Sequence, residues 1–314
     1  MKLSVLVTTY NVEEFIEENL NSLLEQSVDF DMEILVSDDA STDSTPSIVK
    51  KYENQYPGLI KAVYRTKNVK YCETILELIK SGKGEYFAQV DGDDFLTDKN
   101  KLKEQVHFLN SRPDCAICFH AYKSVDRQGQ VIEDAPNRFS GIKYLDTGYL
   151  LTTNLGPGNC VMVRRNALPE QLPEWLYLAG NHVDYALHFL ASLNGKIGYL
   201  NKKMSSYRIH GNNITSKEPR EFIISASYVI LKNLYRTCRE KGLKEYARIL
   251  RQQEINKLFI LSFINLSKGR VFPFLALFLK AWISAPTLNV RKFKDFIYMA
   301  SPGLFYKLKK NIPI

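Results

Sequence analysis

The sequence predicts an α/β fold: a Rossmann-like, mostly parallel central sheet with flanking helices, followed by an all-helical C-terminal region. Three observations predict it. Short apolar, β-prone runs alternate with helical periodicity over the first 112 residues. Polar and acidic residues gather directly after the first, second and fourth runs, at the strand ends where open α/β sheets bind ligands. Charge divides the chain. Residues 1–216 hold 23 Lys and Arg against 28 Asp and Glu, whereas residues 217–314 hold 19 against 6.

Leu3–Thr8 reads as a buried strand. Asn11 is expected to cap the next helix with Glu14 in a capping-box pattern, and Phe15, Ile16, Leu20, Leu23 and Leu24 supply its apolar face. Glu33–Ser37 is a second strand. Thr45 and Pro46 open a helix, with Thr as cap and Pro at the first position. Ile60–Tyr64 is a strand, Thr74–Lys80 a helix stopped at Gly82, Glu85–Val90 a strand and Lys99–Asn110 a helix. The rhythm then changes. Ala116–Tyr122 and Gln130–Glu133 read as strands around a turn at 126–129, and residues 134–157 are loop-rich. Cys160–Arg164 is a strand, Tyr185–Leu193 a helix, and Ile197–Leu200 and Met204–Ile209 two further strands. Phe222–Arg239, Leu243–Leu266 and Val271–Ala285 are helical. The expected division is 1–112 and 113–215 as halves of one domain, then 216–314.

A chain of 314 residues, 45% hydrophobic and 24% charged, is long enough for a full core. Met1–Val7 enters a strand-like run without a signal-peptide pattern. Five irregularly spaced cysteines point to reduced thiols. Cys115 and Cys118 form a CxxC without the second pair a zinc site needs, inside a segment that reads as a buried strand. Neither GxGxxG after the first strand nor GxxxxGK[ST] is present, which disfavours dinucleotide oxidoreductases and P-loop NTPases.

The sharpest feature is Tyr86–Asp94, an apolar run ending in Asp91, Asp93 and Asp94. Three carboxylates this close raise one another's pKa, and a hard divalent cation, Mg²⁺ or Mn²⁺, relieves the repulsion. The plain alternative is a solvated acidic turn leading into the helix near Lys99.

Val5–Asn11, Ile34–Asp43 and Val90–Asp94 together resemble the inverting glycosyltransferases of family 2, which have the GT-A fold. The resemblance covers roughly residues 1–215. It implies a nucleotide-sugar donor, commonly a UDP-sugar, and a Mg²⁺ or Mn²⁺ cofactor. By the same resemblance Thr8 and Tyr10 line the nucleoside, and Asp39, with Asp38 beside it, meets the uracil ring. Asp91 lies near ribose and metal, Asp93 ligates the metal at the diphosphate, and Asp94 ligates directly or through water. Turn chemistry is the alternative for Asp38 and Asp43.

Asn181–Leu187, Gly195–Leu200 and Tyr207–Asn213 resemble the family's acceptor half. Where many members carry Glu-Asp, this chain has Val183-Asp184. Asp184 matches the general base, and the alternative is a helix cap. Arg208 and His210 match a Tyr-Arg-x-His element, implying contact with the departing diphosphate and the metal respectively; the alternative for His210 is an ordinary loop histidine. Gly156–Asn159 matches an acceptor-side loop, while His120, His182 and His188 read as structural.

The basic tail mixes Phe, Leu, Trp and Lys in amphipathic helices, and Val271–Ala285 is too short to span a bilayer. Peripheral contact with anionic membrane is expected, at the cytoplasmic face. Packing on the catalytic domain or homo-oligomer formation is the alternative. No nucleic-acid motif is present. The expected activity is metal-dependent inverting transfer of a sugar to a hydroxyl of a glycan or lipid-linked acceptor. The rivals are a nucleotide-sugar-binding protein without transfer activity and a nucleotidyltransferase. The latter is disfavoured because Thr9–Glu14 lacks a basic, glycine-rich loop.

Overall fold

The computed structural model describes residues 1–134, 138–211, 213 and 218–284. The chain divides into two compact units, Met1–Ser216 and Lys217–Ile314.

In the first unit the alternating pattern becomes β1 (Leu3–Thr9), α1 (Ile16–Leu24), β2 (Met32–Asp38), α2 (Thr45–Gln55), β3 (Ile60–Tyr64), α3 (Tyr71–Ser81) and β4 (Tyr86–Gln89). β1 pairs in parallel with β2 on one side and β4 on the other, and β3 extends the sheet beyond β2. The chain therefore winds outward from β1 to β3 and then returns to the far side of β1. That reversal opens a crevice at the carboxyl ends of β1 and β4. Leu3, Val5, Val7, Ile34, Val36, Ala88 and Val90 form a core with Ile16, Leu20 and Leu23 of α1 and Leu102, Val106 and Leu109 of the helix after β4. This is why the strands read as near-continuous apolar runs.

The remainder of the unit holds β5 (Phe95–Leu96), α4 (Lys101–Ser111), β6 (Cys115–Val125), β7 (Val131–Glu133), β8 (Lys143–Leu145), α5 (Thr147–Leu150), β9 (Val161–Arg164), α6 (Val183–Ser192) and β10 (Lys196–Arg208). The sheet order is β3-β2-β1-β4-β9-β6-β10-β5. β9 runs antiparallel between β4 and β6, so the mostly parallel sheet is mixed in its second half. The two strands expected at 197–200 and 204–209 are one strand, β10. The polar Asn201–Lys203 stretch is absorbed as a register shift against β6. β5, β8 and α5 were not legible, being two to four residues long. All five cysteines are free and buried, and Cys115 and Cys118 lie within β6.

The expected cap of α1 is corrected. Asn11 adopts φ 52°, and its side chain accepts from Thr42 N at 2.8 Å instead of closing the helix. Glu14 pairs with Arg127. The chain enters α1 through a turn in which Phe15 N donates to Val12 O at 2.9 Å.

The second unit contains α7 (Arg220–Glu240), α8 (Lys244–Ser267) and α9 (Val271–Ser284), with Pro273 tolerated in the first turn of α9. Phe274, Leu277, Phe278 and Ala281 of α9 pack on Ile255, Phe259 and Phe263 of α8. The other side of α9 exposes Phe272, Leu275, Leu279 and Ile283. Phe293, Phe296 and Phe305, counted among the tail's aromatics, lie outside the described residues. No described helix is long and apolar enough to cross a membrane.

Gly84 joins α3 to β4, and its N–H donates to Ser4 Oγ at 2.8 Å. A Cβ there would lie 2.3 Å from Ser4 N and 2.5 Å from Tyr86 O, both backbone atoms that cannot swing aside. Gly84→Ala is expected to destabilise the first unit by roughly 1–3 kcal/mol, measured by denaturant unfolding.

Candidate functional site

Three loops meet at the crevice, and hydrogen bonds lock them together. Thr8 Oγ1 donates to Asp91 Oδ1 at 2.6 Å, joining the ends of β1 and β4. Asn11 N donates to Ser41 Oγ at 2.9 Å, and Glu13 N to Asp43 Oδ2 at 3.1 Å, joining the loops after β1 and β2. Asp43 also accepts from Thr45 N, so it carries out turn and helix-entry chemistry. Among the described residues, the non-glycine positions with left-handed φ are Asn11 (52°), Ala40 (62°) and Lys70 (77°). All three belong to the loops that follow β1, β2 and β3. Backbone strain of this kind persists where surrounding contacts over-determine it, as at ligand sites.

Asp38 is buried. Its carboxylate accepts from Thr9 Oγ1, Ser41 N and Ser41 Oγ at 3.0, 3.0 and 2.6 Å, so it braces the loop, as the turn-chemistry alternative holds. Asp39 accepts from Val69 N at 2.8 Å and Lys70 N at 3.0 Å, drawing the loop before α3 to the end of β2. Tyr10 stands 46% exposed at the crevice and offers an open aromatic face.

The turn after β4 is held from beneath. Asn19 of α1, fully buried, donates its amide to Asp91 O at 2.8 Å and Asp94 O at 2.9 Å. Asp94 points inward: Oδ1 accepts from Arg208 N at 2.9 Å and Oδ2 from Asn159 Nδ2 at 2.9 Å. This departs from its expected role as a direct metal ligand, because the carboxylate is 2% exposed and turned into the protein. Arg208 departs from expectation too. Its guanidinium is buried between Phe15 and Phe95, 4.8 and 5.1 Å from the ring centroids. It donates to Asp93 O at 2.9 Å and Arg127 O at 2.8 Å and pairs with Glu18. It supports the acidic turn instead of facing a diphosphate. His210 does reach the site: Nε2 lies 3.0 Å from Asp93 Oδ2, and the ring packs on Phe15 at 4.9 Å.

Among the described residues, no three His, Cys, Asp or Glu side chains form a ready metal cage. The charge balance nevertheless fits a divalent cation. Burial, then the charges of Asp184 and Asp93, push Asp91 up to about 7. Burial, then Asp93 and Asp91, push Asp94 well above the usual carboxylate range. Mg²⁺ needs only one or two protein carboxylates, with water and phosphate completing its shell. Asp93, with Asp91 behind it and His210 beside it, provides that number.

Asp184 lies in the first turn of α6, where the helix dipole favours a carboxylate. It does not cap that helix; the N-cap position is His182, without a side-chain cap bond. Asp184 Oδ2 accepts from Tyr71 OH at 2.8 Å, and Oδ1 is buried without a hydrogen-bond partner among the described residues. Burial raises Asp184 to about 6, against the opposing effect of the Tyr71 hydrogen bond.

Four residues at the site lay outside the sequence-derived set: Asn19, Tyr71, Gln89 and Asn159. Asn19 and Gln89 left a signal, each an amide within an otherwise apolar face or strand. Asn159 was noted only within its glycine loop. Tyr71 left none, since the helix was expected to begin at Thr74 whereas α3 begins at Tyr71.

Comparison with known proteins gives the family and the fold. The model for "Glycosyl transferase family 2" matches residues 4–171, more than half the chain, so the chain belongs to this family. A Mycobacterium tuberculosis protein of uncharacterized function is 32% identical over 212 residues, covering 68% of this chain and 60% of that protein. The chain thus spans less than two thirds of that relative's length. TuaG of Bacillus subtilis, named for teichuronic acid biosynthesis as a glycosyltransferase, is 27% identical over 217 residues, covering 69% of this chain and 82% of TuaG. The crystal structure of Staphylococcus aureus TarS superimposes with a TM-score of 0.67 at 21% identity, over 99% of this chain and 55% of TarS. A shorter form of TarS, crystallised with UDP-GlcNAc, gives 0.61 at 22% identity, over 97% and 83%. These similarities establish the GT-A fold, an α/β unit followed by C-terminal helices.

The raised pKa of Asp91 has a consequence for stability. Its folded value, about 7, lies above the unfolded reference of 3.8. Between these values the folded state binds the proton more tightly, so Asp91 makes the metal-free protein less stable as pH rises from about 4 to 7. Asp91→Asn is expected to raise the melting temperature of metal-free protein at pH 7.5 by roughly a few degrees. The gain should vanish near pH 4. Scanning calorimetry at both pH values checks the sign.

Proposed function

We propose that the protein is a metal-dependent inverting glycosyltransferase that moves a sugar from a nucleotide-sugar, a UDP-sugar, to a hydroxyl of a glycan or lipid-linked acceptor. The observation that carries this reading is the pairing of two carboxylate stations with different surroundings. Asp91 and Asp93 stand at the switch point of the sheet. Asp184, raised to about 6, stands at the start of α6. A base poised near neutrality and an anion-binding crevice are what glycosyl transfer to a hydroxyl requires. The family relationship and the TarS complexes with UDP and UDP-GlcNAc support the donor class.

In this reading Tyr10 stacks on the base and Asp39 accepts from uracil N3–H through its remaining lone pairs. Asp91 takes the ribose hydroxyls. Asp93, flanked by His210, holds Mg²⁺ or Mn²⁺, which when bound offsets charge on the diphosphate. Asp184 removes the proton of the acceptor hydroxyl as its oxygen bonds to the anomeric carbon. The bond from that carbon to the diphosphate oxygen breaks, and its electron pair leaves with UDP. Attack opposite the leaving group inverts the centre.

Asp93→Asn is expected to abolish the metal-dependent thermal stabilisation that UDP confers, with little change in the ligand-free melting temperature. Equal stabilisation of the variant would remove Asp93 from the metal site. Asp184→Asn is expected to leave UDP affinity within about twofold and lower turnover about 10²-fold or more, the scale of general-base loss. UDP release from a panel of UDP-glucose, UDP-galactose, UDP-GlcNAc and UDP-GalNAc, with water as acceptor, measures it.

We further infer that the second unit docks on anionic membrane at the cytoplasmic face, where lipid-linked acceptors are presented. Phe272, Leu275, Leu279 and Ile283 form one exposed stripe of α9, with Phe272 86% and Ile283 77% exposed. The 19 basic residues beyond 216 supply attraction to anionic lipid. Co-sedimentation with phosphatidylglycerol vesicles should weaken with salt, and Phe272→Ser with Leu279→Ser should reduce it about tenfold or more. Unchanged binding of the double variant would exclude this stripe as the contact.

A further inference from the structure

Asp184 is not held alone. Tyr71 OH donates to its Oδ2 at 2.8 Å, and Gln89 Nε2 in turn donates to the Tyr71 oxygen. The same Gln89 amide lies 3.0 Å from both oxygens of Asp91. The chain of donors therefore has one direction. Gln89 has two amide protons, one for Asp91 and one for Tyr71. Tyr71 has one proton, and because its oxygen accepts from Gln89, that proton goes to Asp184. A flipped Gln89 would set its carbonyl against the Asp91 carboxylate, so with Asp91 ionised the charge favours this orientation.

Packing holds the relay in place. Gln89 ends β4, buried, and the Cβ of any residue replacing Gly158 would come within 2.8 Å of Gln89 Nε2. Tyr71 opens α3 directly after Lys70, whose backbone is forced to φ 77° and whose N–H is tied to Asp39. The strained entry to α3 thus aims the phenol at Asp184. A small, mostly apolar cavity beside Asp184 is lined by Gln89, Gly158 and His188 together with Phe87, Val161 and Leu187. Asp184 Oδ1 is buried and, among the described residues, has no hydrogen-bond partner. A buried carboxylate oxygen without a donor is costly, and an arriving hydroxyl removes that cost.

Accepting the proposed function, we propose that Tyr71 and Gln89 are positioning residues that fix the Asp184 carboxylate, occupy Oδ2 and leave Oδ1 as the oxygen that takes the acceptor's proton. They also tie the base to Asp91, so that the two halves of the reaction keep one geometry. Tyr71 touches Asp184 and acts through it.

The test is a double-mutant cycle on the full chain. UDP release is measured at saturating donor with the same panel of four UDP-sugars, alongside calorimetric UDP binding. Tyr71→Phe is expected to lower kcat about tenfold or more, the scale of losing a hydrogen bond to a charged group. UDP affinity should stay within about twofold, which also reports an intact fold. In the Asp184→Asn background Tyr71→Phe should cost nothing further, because its effect runs through Asp184. Wild-type kcat in Tyr71→Phe, or a loss that multiplies with that of Asp184→Asn, would overturn the inference and leave the proposed function standing. Absence of UDP release by the wild-type protein from every sugar in the panel would overturn both. If Tyr71→Phe does not fold, Gln89→Met in the same cycle decides on kcat at saturating donor alone, since Gln89 also contacts Asp91: a loss absent from the Asp184→Asn background supports the inference, and wild-type kcat or a loss that multiplies overturns it.

Discussion

Everything at the crevice depends on keeping a run of like charges, Asp91 to Asp94, folded inward against the sheet. Isolated, that turn would spread into solvent. The protein prevents this with neutral amides and one buried guanidinium. Asn19 binds two carbonyls of the turn, Asn159 and Arg208 N bind the Asp94 carboxylate, and the Arg208 side chain binds Asp93 O. These groups hold the Asp94 carboxylate and orient the backbone. Asp91 and Asp93 are held instead by Thr8, Gln89 and His210. In the proposed function, the negative charge of Asp91 and Asp93 is what attracts a cation and, through it, a diphosphate.

The same clamp explains why distant sequence segments converge. Asn19 comes from α1, Asn159 from the segment before β9 and Arg208 from the end of β10, so one turn gathers contributions from three parts of the first unit. The relay from Asp91 through Gln89 and Tyr71 to Asp184 continues the arrangement toward α6. The proposed donor and acceptor stations thereby share one hydrogen-bonded framework, supported by strands and helix starts.

Much of this was legible in the sequence. The apolar runs of β1, β2 and β4 and the acidic residues at their ends announced both the sheet and the location of its crevice, because strand burial and strand-end chemistry leave local patterns. Contacts between distant residues left no such pattern. Arg208 and His210 alternate along the chain, and nothing local distinguishes an arginine that meets a ligand from one that fills the space between Phe15 and Phe95. Asp94 resembles Asp93 in sequence, and only the distant Asn159 and Arg208 N turn one inward. Asn11 satisfied the rules for a helix cap, yet its side chain was claimed by Thr42 across the crevice. The antiparallel insertion of β9 was hidden for the same reason: pairing partners are not encoded in a strand's own residues.

The most direct measurement is a crystal structure of the protein with UDP and Mn²⁺. The account predicts uracil between Tyr10 and Asp39, ribose against Asp91, and the cation on Asp93 bridging to the diphosphate, with Arg208 and Asp94 unmoved beneath. UDP bound away from the ends of β1 and β4, or a cation held by Asp94 in place of Asp93, would contradict it.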